Sequence, residues 1–155
     1  MSANDVSVHV SWHGARRYEV KQPGAKPITL DGNREEGPGP VATMLGTLAA
    51  CSGIDIVDYM EKRRTPATRL EIAVAGVRNA TPPRRVLSAR LDITLDGDGI
   101  DADHAERAIA LAFGTYCSVA SSLAPDIELS SRLVLNGVTR ADVVHRPTRV
   151  TKATA

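Results

Sequence analysis

Aromatic residues are scarce in this chain: one Trp, one Phe and three Tyr serve 155 residues. The interior therefore has to be assembled from Val, Ile, Leu and Ala. Cysteine is equally sparse. Cys51 and Cys117 are far apart in the chain and do not make a secreted disulfide scaffold, which leaves inert core thiols or a redox pair. Neither sign of charge dominates, with 19 Lys and Arg against 18 Asp and Glu. The basic runs Arg16-Arg17, Lys62-Arg63-Arg64 and Arg84-Arg85 are too short for a binding tract, so the balance argues against nucleic acid and anionic membranes as partners. No signal-peptide pattern opens the chain, and its longest apolar stretch is broken by Gly46, Ser52, Gly53 and Asp55, short of the ~20 apolar residues of a membrane span. The expectation is a cytoplasmic protein. No predicted strand runs into a Gly-rich phosphate loop, and His9, His13, His104 and His145 share no ligand spacing with Cys or acidic residues, so neither a cofactor nor a metal is expected. Asp55 and Asp58 offer only an i,i+3 carboxylate pair, weak ground for hydrolysis. Ser118, Ser121 and Ser122 lack an acyl-transfer elbow.

What the chain does contain is organised around Pro40–Arg64, PVATMLGTLAACSGIDIVDYMEKRR. Val41, Met44, Leu45, Leu48, Ala49, Ile56, Val57 and Met60 recur at helical spacing. Pro40 suits the first turn, the basic triplet suits the last, and Pro66 prevents continuation. Gly46, Ala49, Ala50, Ser52 and Gly53 invite close approach by another backbone. The helix is too apolar for one face to be solvated in a small monomer, which predicts a partner chain over it. Cys51 sits at the centre of the small residues.

Before this helix, Val6–Trp12, Arg17–Lys21 and Lys26–Leu30 read as short strands of an antiparallel meander, with turns at His13-Gly14, Pro23-Gly24 and Asp31-Gly32. The loop NREEGPG (33–39) follows. After the helix, 69–78 and 86–95 alternate and should pair as a hairpin, the second with Leu87, Ala89, Leu91, Ile93 and Leu95 on one side. Asp101 or Asp103 caps a second helix, whose apolar stripe from Ala105 to about Leu123 carries Cys117. Residues 128–135 form a last strand. The expectation is one α+β domain, residues 1–155, with its core in 6–135 and a flexible tail over 141–155, where Val143 and Val144 are the docking candidates.

Each cysteine taken alone reads first as a small buried hydrophobe. Cys117, however, stands in TYCSVASSL, and a core thiol needs no such polar company. If the two helices cross near their cysteines, with Cα atoms ~4.4–6.8 Å apart, a disulfide is within reach. One thiolate would then attack an oxidised substrate to give a sulfenic acid, and the other would condense with it. A mid-helix thiol needs an added cation to ionise. Arg16, Arg17, Arg34 and Arg78 are the candidates.

GPGPVATMLGTLAACSGIDIVDYMEKRR (37–64) and TYCSVASSL (115–123), with the W-x-G at Trp12 and the V-x-x-x-R ending at Arg78, resemble the OsmC/Ohr superfamily of osmotically induced and organic-hydroperoxide-resistance proteins. The similarity covers about residues 8–135. ACSGIDIV and EKRR look closest to an OsmC-like branch without an assigned function. The resemblance implies antiparallel sheets wrapped around long central helices in an intertwined homodimer. It implies Cys51 as the peroxidatic thiol, Cys117 as the resolving one, an organic hydroperoxide as substrate, and a dithiol such as a lipoylated protein as reductant. It also implies an arginine, matched by Arg17, and a glutamate nine residues before the first cysteine. That position is Ala42, which accepts no hydrogen bond. Glu35 or Glu36 would have to substitute. Without either, the fold implies a dimer that binds a small apolar or electrophilic ligand and does not turn over peroxide.

Overall fold

The computed structural model describes residues 5–148. The chain divides into two compact units, one ending at Met44 and the other beginning at Leu45.

In the first unit β1 (His9–Trp12), β2 (Arg17–Lys21) and β3 (Ile28–Asp31) form an antiparallel sheet in chain order. Trp12 faces Tyr18 across the first turn, and Arg17 faces Asp31 across the second pair. Asp31 is fully buried and organises the loop that follows. Its carboxylate accepts the amide N–H of Asn33 at 2.8 Å and those of Glu35 and Glu36 at 3.2 Å. The Asn33 bond leads in holding its pKa below the usual carboxylate value. Gly37 closes the loop against Thr29, where an added Cβ would stand 2.4 Å from the carbonyl oxygen. Val8, Val10, Trp12, Tyr18 and Ile28 remain exposed, so this sheet carries almost no core of its own.

Helix α1 (Pro40–Lys62) starts in the first unit and runs on through the second. It ends where Arg64 turns to φ 61° and the Thr65 N–H reaches the Met60 carbonyl at 3.1 Å. By length, and by a mean hydropathy of 1.5 over its most apolar 18 residues, α1 is long and apolar enough to cross a membrane despite its interruptions. Leu48, Ile56 and Met60 nevertheless belong to the protein core.

In the second unit β4 (Arg69–Arg78) and β5 (Val86–Asp96) make the predicted hairpin. A register shift between Val77 and Arg78 changes its last pair, so Val86 is buried and Leu87, expected inside, is exposed. Strand β6 (Glu128–Leu135) lies parallel to β5, an arrangement the alternation pattern does not reveal. Parallel neighbours need a crossover, supplied by α2 (Ala102–Leu111), a π-helical turn (Ala112–Tyr116) and α3 (Ser118–Ser122). Asp101 caps α2 through the His104 N–H at 2.8 Å. Gly53 of α1 lies against Leu70 and Ile72 of β4, and Gly76 faces Leu45 so closely that an added Cβ would stand 2.8 Å from it. Ile56 and Met60, Leu91 and Ile93, Ala108 and Phe113, and Leu129 and Leu133 fill one continuous core.

The segment after 140 departs from the expected tail. Strands β7 (Val138–Thr139) and β8 (Val143–His145) both pair with β6, and residues 149–155 lie outside the described part. Val143 and Val144 point outward. The docking is done by polar residues on either side of them. Asp142 binds Arg90 and Arg132 at 2.7 Å each. His145 is buried, stacks on Phe113 at 4.5 Å and shares a 2.7 Å hydrogen bond with Ser131.

Burial pushes the His145 pKa down to about 4 from 6.5. Between those values the unfolded chain binds a proton that the folded chain refuses, so stability falls as pH drops through this window. Thermal melts from pH 7 to pH 4.5 should show a falling Tm in wild type and a shallower fall in His145→Gln, which retains a hydrogen-bonding partner for Ser131. Parallel slopes would contradict this placement.

Candidate functional site

The site forms where α1 passes the break in the second helical segment. Cys51 is half-buried on α1, next to the buried Ser52 and Gly53. The Ser52 hydroxyl donates to the Leu48 carbonyl at 2.9 Å, which removes its polarity from the packed face.

Cys117 does not continue a helix, as the apolar stripe suggested. The π turn ends with its N–H bonded to the Ala112 carbonyl at 2.8 Å. Its own backbone is extended, at φ −65° and ψ 104°. There its sulfur caps α3 by accepting the Ala120 N–H at 3.4 Å. The polar company read in TYCSVASSL has a structural cause: Ser121 and Ser122 donate to the Ser118 carbonyl at 3.0 and 2.7 Å. Those serines serve the short helix, not the thiol.

The Sγ atoms of Cys51 and Cys117 and a carboxylate oxygen of Asp55 all lie within 4.8 Å of one another. A disulfide at ~2.05 Å therefore needs a sulfur displacement under ~3 Å, without rebuilding the fold. The two thiols differ in environment. Cys117 is buried, and burial drives its pKa up to about 11, assisted by the neighbouring Cys51 and opposed by the Ala120 N–H. It stays protonated at neutral pH. Cys51 is the more accessible of the two.

In the sequence Asp55 pairs with Asp58 at i,i+3. In the structure it matters because it stands one helical turn beyond Cys51, and this i,i+4 spacing is the sequence signal for it. One of its oxygens is buried without a hydrogen-bond partner. Burial raises its pKa, Asp58 adds to this and Lys62 opposes it. Beside it opens a cavity of about 370 Å³, walled by Tyr59, Leu111 and Tyr116 and edged by Lys62 and Arg63. Two sulfurs and one carboxylate are one donor short of a closed four-ligand zinc set.

The other predicted residues are distributed as follows. In the first unit the loop folds back around Asp31, and the Arg17 guanidinium pairs with the Glu36 carboxylate. Both line a cavity of about 240 Å³ with His13 and Tyr18. Of the two acidic candidates it is thus Glu36 that holds the arginine, while the Glu35 N–H donates to Asp31. Ala42 is exposed in the first turn of α1. The Arg16 side chain occupies the space beside Gly32. Arg34 sits at φ 63° with its N–H on the Asp31 carbonyl. Arg78, in the second unit, spends its Nε on the Arg84 carbonyl at 2.8 Å.

Comparison with known proteins agrees with this architecture. The chain is similar to Protein YhfA of Escherichia coli K12, 25% identical over 126 residues, which covers 81% of this chain and 94% of that one. Among solved structures, the OsmC-like protein from Mycoplasma pneumoniae shares the fold with a TM-score of 0.75 at 16% identity, covering 86% of this chain and 98% of the other. The organic hydroperoxide resistance protein OsmC from Legionella pneumophila shares it with a TM-score of 0.60 at 15% identity, over 86% and 98%. The model of the family described as OsmC-like protein matches residues 32–132. That stretch carries Glu36, Cys51, Asp55 and Cys117, and with it the chain belongs to the OsmC-like family.

Proposed function

We propose that the protein reduces organic hydroperoxides with Cys51 as attacking thiol and Cys117 as resolving thiol. The observation that carries this reading is the approach of an accessible and a buried thiol to within 4.8 Å. The Cys51 thiolate attacks the terminal oxygen of the hydroperoxide, the O–O bond breaks, and the alcohol leaves with a proton. The resulting sulfenic acid condenses with Cys117, releasing water and leaving a disulfide. A cytoplasmic dithiol, such as that of a lipoylated protein, returns both thiols. The names of the Legionella protein and of OhrB of Bacillus subtilis, both organic hydroperoxide resistance proteins of this fold, support the substrate class.

The working form is proposed to be a homodimer. The exposed line Gly46, Ala50 and Ile54 on α1 and the bare Val10, Trp12 and Ile28 of the N-terminal sheet support this, because apolar surface of this kind favours a partner. The proposal takes Arg17, held by Glu36 in place of the glutamate missing at Ala42, as the cation that favours the Cys51 thiolate. The largely apolar wall of the cavity beside Asp55 favours a second reading, in which the dimer binds a small apolar or electrophilic ligand without turnover.

Consumption of cumene hydroperoxide with dihydrolipoamide should proceed in wild type and be lost in Cys51→Ser and in Cys117→Ser. Arg17→Met should lower it on the order of 10²-fold, the size expected when a reacting group loses its alignment. Equal background rates in all four would leave the ligand-binding reading. In sedimentation, wild type should run as a dimer and Ile54→Asp should shift toward monomer. A monomeric wild type would remove the partner chain from the account.

A further inference from the structure

We propose that Asp55 carries the proton in the step that closes the Cys51–Cys117 disulfide, taking it from the Cys117 thiol and delivering it to the hydroxide that leaves Cys51. The inference deepens the peroxidase reading and rests on it for the identity of the leaving group. The need for a base at Cys117 rests on the burial of its thiol beside Asp55 and is independent of the substrate.

Cys117 has to lose its proton to attack, yet its sulfur is buried. With a pKa of about 11, only about one molecule in 10⁴ carries the thiolate at pH 7, so spontaneous ionisation is a slow route. A base beside the sulfur removes that barrier. The described residues place Asp55 in this position, grouped with both sulfurs. His145, which also lies against the core near the π turn, is occupied by Ser131 and Phe113. His104 is held by Asp101. Asp55 has an oxygen free of competing hydrogen bonds, so its lone pairs are available. Proton transfer requires ~2.6–3.2 Å or one intervening water. A rotation of the carboxylate or a water from the adjoining cavity of about 370 Å³ satisfies that.

Besides the two thiols, the charged and titratable groups around Asp55 are Asp58, Tyr59 and Lys62 from α1, Arg63 just beyond its end and Tyr116 from the π turn. Arg63 is engaged with His104. Burial and Asp58 raise the affinity of Asp55 for a proton, which narrows the mismatch with the thiol.

The step balances. Asp55 carboxylate accepts the Cys117 proton as the Cys117 sulfur bonds to the Cys51 sulfur. The S–O bond of the sulfenic acid breaks with its electron pair on oxygen, and Asp55 returns the proton to give water. The Cys117 sulfur is oxidised, the Cys51 sulfur is reduced, and Asp55 ends as it began.

The test avoids hydroperoxide. Reduced protein is mixed in a stopped flow with one equivalent of 5,5′-dithiobis(2-nitrobenzoate). The first phase releases one thionitrobenzoate as Cys51 forms a mixed disulfide, and the second releases another as Cys117 displaces it. In wild type the second-phase rate should reach a plateau once Asp55 is ionised. In Asp55→Asn it should be at least tenfold slower at pH 7 and climb about tenfold per pH unit toward the Cys117 pKa, converging on wild type in alkali. Positioned bases contribute ~10²–10⁴. Asp55→Glu should restore part of the rate. An unchanged second phase in Asp55→Asn would overturn the inference. A wild-type second phase that rises tenfold per unit from pH 6 to pH 10 without a plateau would overturn it too, and this arm needs no variant. Normal hydroperoxide turnover with an unchanged second phase discards Asp55 alone. A clear Asp55 effect without hydroperoxide consumption discards the peroxidase reading alone.

Discussion

The seating of α1 on the side chains of β4 sets the rest of the second unit. Gly53 lets the helix lie against Leu70 and Ile72, and Ser52 turns its hydroxyl back onto α1 so that no polar group is stranded in that face. With the helix seated, Ile56 and Met60 reach the core beside β5. Cys51 and Asp55, one turn apart, then face the segment that crosses from β5 to β6. That crossover has to exist because the two strands are parallel, and it carries Cys117 to the pair.

The crossover also explains why the second thiol sits where it does. A regular α-helix through 112–122 would have kept Cys117 in a hydrogen-bonded ladder. The π turn releases it into an extended backbone, where its sulfur replaces the usual side-chain oxygen of a cap. The result is an unequal pair. One thiol is half-buried and the more accessible of the two, and the other is held protonated by burial and fixed by an amide. Such a pair suits sequential chemistry, in which one sulfur meets the substrate and the other waits for it.

Much of this was legible in the sequence because it rests on short-range periodicity. The boundaries of α1, the 69–78 and 86–96 hairpin and the strand at 128–135 follow from spacing that local sterics and burial both enforce. The parallel β5–β6 pair was not legible, since alternation reports which face is buried and not which neighbour is paired. Leu87 was misplaced for a related reason: the register shift opposite Val77 and Arg78 leaves no break in the alternation of β5 itself. The tail was underestimated because Asp142 and His145 dock it with polar groups. A search for apolar residues finds only Val143 and Val144, which point outward. The approach of the two cysteines was within the reach of the sequence pattern, and so, separately in the first unit, was Glu36 as one of two acidic partners for Arg17. Asp55 was missed because its meaning depends on a sulfur 66 positions after Cys51 in the chain. The buried Asp31, which folds the loop so that Glu36 meets Arg17, left no pattern at all.

The central claim is that the two sulfurs act as one redox unit. It is tested most directly by treating the reduced protein with one equivalent of tert-butyl hydroperoxide, blocking remaining thiols with iodoacetamide, and mapping peptides by mass without reduction. The account predicts a peptide pair joined through Cys51 and Cys117, with neither cysteine alkylated. Recovery of both cysteines as alkylated peptides, or of Cys51 oxidised alone beside an alkylated Cys117, would contradict it.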